Sequence, residues 1–228
     1  SSAQDEPVAV VQGWDPAVDW ALLSEGVYAI NAGALHVATN LDATLPTERG
    51  FALGNGSLVA AVVNASGKEP LAGGKPFPGI YTRALKRAGG TRPLAVGDRL
   101  NTDHVGARAA GIPGLHVLTG VSTARDVVLA RPEERPAYLH TDLRGLLEPH
   151  PAPVRVRSGA DAGWWTAGSA HCRVHDDAVV LDGAGPLTGQ EVEITLDTYR
   201  AMAGAVWEYL DEHGGNRAPT VPDLRVRA

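Results

Sequence analysis

The stretch Leu94-Ala95-Val96-Gly97-Asp98-Arg99-Leu100-Asn101-Thr102-Asp103 decides the fold. An apolar run too short for a helix ends in Gly-Asp, and helical spacing resumes near Thr102, so the segment reads as strand, loop and helix. Asp98 then stands at the carboxyl end of a parallel strand, where α/β folds gather their ligands. Asp98 and Asp103 are five positions apart across the loop, so both carboxylates can face one crevice. Hard oxygen donors of this kind suit Mg2+, which takes one or two carboxylates plus water and phosphate. The same spacing also suits a plainer arrangement, in which Asp98 opens a turn and Asp103 favours a helix N-terminus through its dipole.

On both sides of this segment, short apolar runs alternate with helical periods. Strands are predicted over 8–11, 34–39, 94–96, 115–118 and 137–140, and helices over 57–64, 78–87, 102–110 and 123–130. A further helix is expected to open at Asp15-Pro16, with Val18, Leu22, Leu23, Val27 and Ile30 as its buried stripe. Most strands are followed by a helix able to cover them, which is the pattern of an α/β fold with a mostly parallel sheet. Composition shifts at Glu148-Pro149-His150-Pro151-Ala152-Pro153, an extended connector that marks a boundary. Beyond it a short strand and turn are expected over 171–183. A helix over 195–213 follows, with Leu196, Tyr199, Met202, Val206 and Leu210 on one side, and then a loose tail from Gly214.

Composition bounds the function. Of 228 residues 44% are hydrophobic and 20% charged, enough apolar material for a packed core. Lys and Arg number 20 against 26 Asp and Glu, a net charge of −6 with no basic cluster, which argues against nucleic acid as a partner. The single cysteine, Cys172, gives no sign of an oxidising compartment, and no run of about 18 apolar residues suggests a membrane span. A cytoplasmic location without a membrane partner is the expectation. The chain begins at Ser1 without methionine, as a processed or excised piece would.

A second chemical signal is Gly73-Gly74-Lys75-Pro76-Phe77-Pro78. Two glycines let backbone approach a ligand and the prolines stiffen the turn, so Lys75 is presented from a fixed loop as a point charge for phosphate, or is an ordinary exposed lysine in a Gly/Pro loop. The G-x-x-x-x-G-K-[ST] pattern is absent.

Taken in order, Gly74-Lys75-Pro76, Gly97-Asp98-Arg99, Thr102-Asp103, Gly111 and Leu118-Thr119-Gly120-Val121 resemble the C-terminal motifs of the haloacid dehalogenase (HAD) superfamily. More narrowly, Ala38-Thr39-Asn40-Leu41-Asp42, Gly54-Asn55-Gly56 and Gly74-Lys75-Pro76-Phe77-Pro78 resemble its NagD-like, subfamily IIA phosphatase branch over about residues 8–147. The resemblance implies a Rossmann-like core with part of a C2-type cap in residues 1–70, the later part of the core in 71–148, and a connector and C-terminal strand-helix extension in 149–228. It implies a Mg2+-dependent phosphatase of a small phosphate ester. Lys75 would neutralise the phosphoryl group, Asp98 would bind Mg2+, Asp103 would support the metal shell, and Asn40 and Asp42 would face substrate. Such enzymes attack phosphorus with the first aspartate of an Asp-x-Asp pair, and this chain contains none. The resemblance therefore implies an inactive chain by itself, with the missing core supplied by upstream sequence or a second polypeptide, or else a non-catalytic binding or assembly module. A core lacking its first strand would leave a sheet edge that invites pairing, so a homo-oligomer or a second chain is the expected partner.

Three other patterns compete. Gly120-Val121-Ser122-Thr123-Ala124 imitates a serine-hydrolase elbow, although Ser122 also suits a helix cap. His171, Cys172 and His175 could suggest zinc, but alternation places His171, Arg173 and His175 on one strand face and Cys172 and Val174 on the other. Trp164-Trp165 could stack a ligand or anchor the extension to the core.

Overall fold

A computed structural model describes residues 2–227. The chain runs β1 (Ala9–Gln12), α1 (Trp20–Asn31), β2 (Leu35–Ala38), β3 (Thr44–Thr47), β4 (Gly50–Leu53), α2 (Asn55–Ser66), β5 (Leu71–Ala72), α3 (Gly79–Ala88) and β6 (Ala95–Gly97). A π-helical turn, Leu100–His104, leads into α4 (Val105–Ala109), followed by β7 (Gly114–Val117), α5 (Ala124–Val128) and β8 (Tyr138–His140). Then come β9 (Val154–Arg155), β10 (Trp165–Ala167), β11 (Ala170–His175), β12 (Ala178–Leu181), β13 (Gly185–Pro186), β14 (Glu191–Thr195), α6 (Leu196–Glu212) and β15 (Asp223–Arg227). These elements form two compact units: the segment up to Pro93 with Val105–Ile112, and Leu94–His104 with the segment from Pro113 onward.

In the first unit β1, β2 and β5 make a parallel sheet, with Ala9 opposite Leu35 and Val37 opposite Leu71. Helix α1 starts later than Asp15-Pro16 predicts. The Asp15 carboxylate accepts from Ala17 N in a separate turn, and Asp19 caps the helix by accepting from Leu22 N at 2.8 Å. Of the expected stripe Ile30 is fully buried, whereas Leu22 is 55% exposed. The antiparallel hairpin of β3 and β4 was not foreseen.

The second unit holds a parallel sheet in the order β6-β7-β8, as the deciding stretch predicts. An antiparallel sheet, β13-β12-β11-β10-β9, and the parallel pair β14-β15 complete it. The expected strand over 171–181 is instead the hairpin β11-β12. Its turn is made by Asp176 and Asp177 at φ 47° and 61°, a conformation that aspartate tolerates better than most side chains. Within β11 the expected alternation holds, with Cys172 fully buried and His175 exposed. The expected loose tail folds into β15, paired with β14 from Glu191 opposite Asp223 to Thr195 opposite Arg227.

Helix α6, capped by Thr195, buries Tyr199, Met202, Val206 and Leu210 as its spacing predicts. Ala201, Ala203 and Ala205 are buried as well, so the helix is covered on more than one side. Gly204 lets Trp165 lie against the helix, since a Cβ there would be 2.4 Å from the indole. Trp165 Nε1 donates to Glu208 Oε2 at 2.9 Å, which ties β10 to α6. The links from α6 to the parallel-sheet region come from other residues. Trp207 Nε1 donates to Val127 O, and the buried Arg200 guanidinium donates to Leu139 O.

Candidate functional site

The sequence-predicted residues fall into two groups, one in each unit. In the first unit, Asn40 and Asp42 leave the end of β2. Asp42 N donates to Asn40 Oδ1 at 3.1 Å, which closes a local turn. Leu41 and Asp42 cross directly over Gly54-Asn55-Gly56. A Cβ on Gly54 would be 2.3 Å from Asp42 O, and one on Gly56 2.3 Å from Leu41 O. Between these glycines the buried Asn55 donates through Nδ2 to Asn40 O at 2.8 Å, so the Gly-Asn-Gly motif holds the Asn40–Asp42 backbone in place. The Lys75 loop joins from the other side, with Leu41 N donating to Lys75 O at 3.2 Å and Gly73 N to Ala38 O at 2.9 Å. Lys75 Nζ stands 3.4 Å from Asp42 Oδ2, and both side chains are partly exposed. Asp42 Oδ1 is buried with no hydrogen-bond partner.

In the second unit Asp98 follows β6 as predicted. Its Oδ2 accepts from Val121 N at 2.8 Å, and its carbonyl accepts from Ser122 N at 2.9 Å. Gly120 makes this approach possible, because a Cβ there would lie 1.9 Å from Asp98 Oδ2. Asp103 sits within the π-helical turn and accepts from Arg99 N at 3.1 Å. Both carboxylates are thus oriented by backbone N–H groups around one strand-end loop. Among the described residues no three of His, Cys, Asp or Glu gather as a cation cage. Hard carboxylate oxygens oriented in this way fit an ion such as Mg2+ that keeps water and phosphate in its shell.

Ser122 neither caps a helix nor forms a nucleophile elbow. Thr123 is the cap of α5, in a capping box with Asp126, and Ser122 Oγ accepts from Leu100 N at 3.2 Å. Sequence reasoning missed a buried pair beneath the Asp98 loop, His104 and His116, with Nε2 and Nδ1 3.0 Å apart. Burial pushes both imidazoles below their usual range. His116 is brought to about 4, with the neighbouring His104 adding to the effect of burial. The available signals were a histidine directly after Asp103 and another inside the apolar run Leu115-His116-Val117. Cys172 is buried and its thiol is pushed up to about 12 by desolvation, which makes it unreactive.

Comparison with known proteins bears on this arrangement. Residues 72–146 match the HAD-hydrolase-like family model. D-glycerol 3-phosphate phosphatase of Mycobacterium tuberculosis is 45% identical over 206 residues, covering 90% of this chain and 56% of that protein. An acid sugar phosphatase of Staphylococcus epidermidis is 38% identical over 136 residues, covering 59% of this chain and 52% of that protein. The crystal structure of glycerol phosphate phosphatase from M. tuberculosis in complex with magnesium aligns with a TM-score of 0.73 and 40% identity, covering 100% of this chain and 62% of that one. The chain spans a little over half the length of the curated relatives it matches. With its parallel α/β sheets and ordered Lys75, Asp98 and Asp103 motifs, the chain is similar to haloacid dehalogenase superfamily phosphatases of the NagD-like branch, with residues 72–146 matching the family model.

Proposed function

We propose that this chain provides the cation-holding and phosphate-holding part of a Mg2+-dependent phosphatase acting on a small phosphate ester. The observation that carries the reading is Asp98, placed at the carboxyl end of β6 and fixed there by the Val121 N–H across a glycine that a Cβ would close. Asp98 would hold Mg2+, which when bound neutralises charge on the phosphoryl oxygens. Asp103, fixed by Arg99 N, would keep the cation's water shell in register. Lys75 would meet the phosphoryl group as a point charge, and its ion pair with Asp42 holds the ammonium near the Asn40 turn. The names of the relatives, a glycerol phosphate phosphatase and acid sugar phosphatases, favour a short polyol or sugar phosphate. Asn40 and Asp42 are the side chains we assign to its hydroxyl-bearing end. In this reading residues 1–70 are cap, 71–148 core and 149–228 an extension.

Because no Asp-x-Asp occurs in the chain, the nucleophile comes from sequence outside it or from a second polypeptide, and the 228-residue chain alone is expected to show no turnover. The same absence favours a second reading, a non-catalytic module that keeps the pocket for an anion or a partner. The test is hydrolysis of p-nitrophenyl phosphate and glycerol 3-phosphate by the complete gene product with and without Mg2+. Asp98→Asn is expected to lower kcat/KM by about 100-fold or more. Full activity in that variant, or Mg2+-dependent turnover by the isolated chain, would overturn the assignment.

A further inference from the structure

We propose that the His104–His116 pair is the positioning device for Asp98, clamping from beneath the two loops that hold its carboxylate. The inference rests on the reading of Asp98 as the cation-holding residue and adds a requirement which that reading does not contain. His104 and His116 are 2% and 0% exposed, with ring centroids 5.0 Å apart, and neither can reach substrate from that depth. They act on backbone. His104 Nε2 lies 3.3 Å from Gly97 O, the residue before Asp98, and His116 Nε2 lies 3.3 Å from Ser122 O. Ser122 and its neighbour Val121 donate their N–H groups to the Asp98 carbonyl and carboxylate. The pair therefore ties the loop carrying Asp98 to the loop that orients it.

Only one distribution of two protons satisfies these contacts. His116 Nε2–H donates to Ser122 O, which leaves His116 Nδ1 as an acceptor. His104 Nε2–H then donates to His116 Nδ1 at 3.0 Å and leans toward Gly97 O. His104 Nδ1 is left bare, and it is buried with no partner. It faces Gly114, where a Cβ would be 2.5 Å away, so β7 fixes the ring from behind. Both rings are neutral in this arrangement, so the brace places no cation beside Asp98, where a positive charge would oppose metal binding.

The test uses the complete gene product. His104→Leu and His116→Phe remove the donors while keeping apolar bulk, and His104→Gln restores a donor at the Nε2 position. The two removing variants are expected to raise the Mg2+ concentration for half-maximal activity about 10-fold or more, and His104→Gln to bring it back toward the parent value. In metal-free protein, amide hydrogen exchange at Val121 and Ser122 should quicken in the removing variants and recover in His104→Gln. If either removing variant does not fold, nitrogen NMR of the parent imidazoles decides: protonated Nε2 and bare Nδ1 on both rings support the brace, and a protonated Nδ1 on either ring overturns it. Folded variants with unchanged exchange and unchanged Mg2+ dependence also overturn it. Asp98→Asn separates the two levels. If that variant leaves Mg2+ dependence unchanged, the cation assignment falls, and the exchange and NMR results still decide the brace.

Discussion

The two compact units are built on different packing economies. In the second, a single apolar cluster runs from Val127 and Leu139 through Tyr199, Met202 and Val206 to Val221. In the first, the buried apolar residues are Ile30, Val59, Val62, Ile112 and four alanines among the described residues. Large side chains there stay in solvent: Trp20 is 80% exposed and Val11 68%. A cavity of about 390 Å3 opens between β1 and α1, lined by Val10, Val18, Leu23, Ala29 and Val62. Burial of apolar area is the main favourable term in folding, so the second unit carries most of the cooperative stability and the first is the softer one. The candidate residues follow the same division. Asp98 is held by backbone bonds beside a dense core, whereas Lys75 and Asp42 form a partly exposed pair.

The contrast can be broken most forcefully at α6. Met202→Ala is expected to destabilise the second unit by about 2–5 kcal/mol, because the side chain is fully buried within the apolar cluster. Denaturant unfolding followed by hydrogen exchange on Val127 and Leu139 checks this, and a change below about 1 kcal/mol would mean that the cluster is not cooperative.

Acid is the next lever. His116 titrates at about 4 in the folded protein against 6.5 in an unfolded chain. Its folded value is depressed, so the unfolded chain takes up the proton first. The stability contribution is therefore fully present above pH 6.5 and is lost as pH falls toward 4. That interval corresponds to on the order of 3 kcal/mol, expected in the second unit and absent in His116→Phe. Thermal unfolding across pH 4 to 7 gives the slope, and equal slopes in parent and variant would remove His116 as its cause.

Smaller effects sharpen the comparison at its edges. Thr123→Ala removes the hydroxyl half of the α5 capping box, the bonds of Thr123 Oγ1 with Asp126 N and Oδ2, leaves the backbone bond from position 123 to Asp126, and should cost about 1 kcal/mol, read from the urea midpoint. Leu22→Ala, in the first unit, should change stability by about 0.5 kcal/mol or less despite its place in the predicted stripe, because the side chain already faces solvent. A loss near 2 kcal/mol there would show that this apolar face is covered in solution.

Legibility followed the range of the interactions. The parallel strands and their helices were readable because each is a local pattern, an apolar run or a helical period with turn residues between. The position of Asp98 at a strand end was readable because the strand, Gly97 and the helical turn that follows are contiguous. The β11-β12 turn was not, since two aspartates, without a glycine, take positive φ. Strand β15 was hidden because Asp223-Leu224-Arg225-Val226-Arg227 reads as a polar tail until β14 supplies its partner. Asp19 took the cap from Asp15, although both have the same chemistry, because Asp15 is engaged in a separate turn in which it accepts from Ala17 N. His104 and His116 lie 12 positions apart, one directly after Asp103 and the other in an apolar run, and neither signal shows that the two rings meet.

By itself, then, the sequence determined the alternating α/β plan, the order of the Lys75, Asp98 and Asp103 motifs and the absence of an Asp-x-Asp pair, because these are properties of neighbouring residues along a chain. Only the tertiary structure decided which glycines Asp42 and Asp98 press against, which carbonyls the buried histidines hold, and how α6 is tied to β10 and α5. Those contacts join residues 6 to 80 positions apart, and close packing, which selects among many compatible local patterns, exists only once the chain has folded.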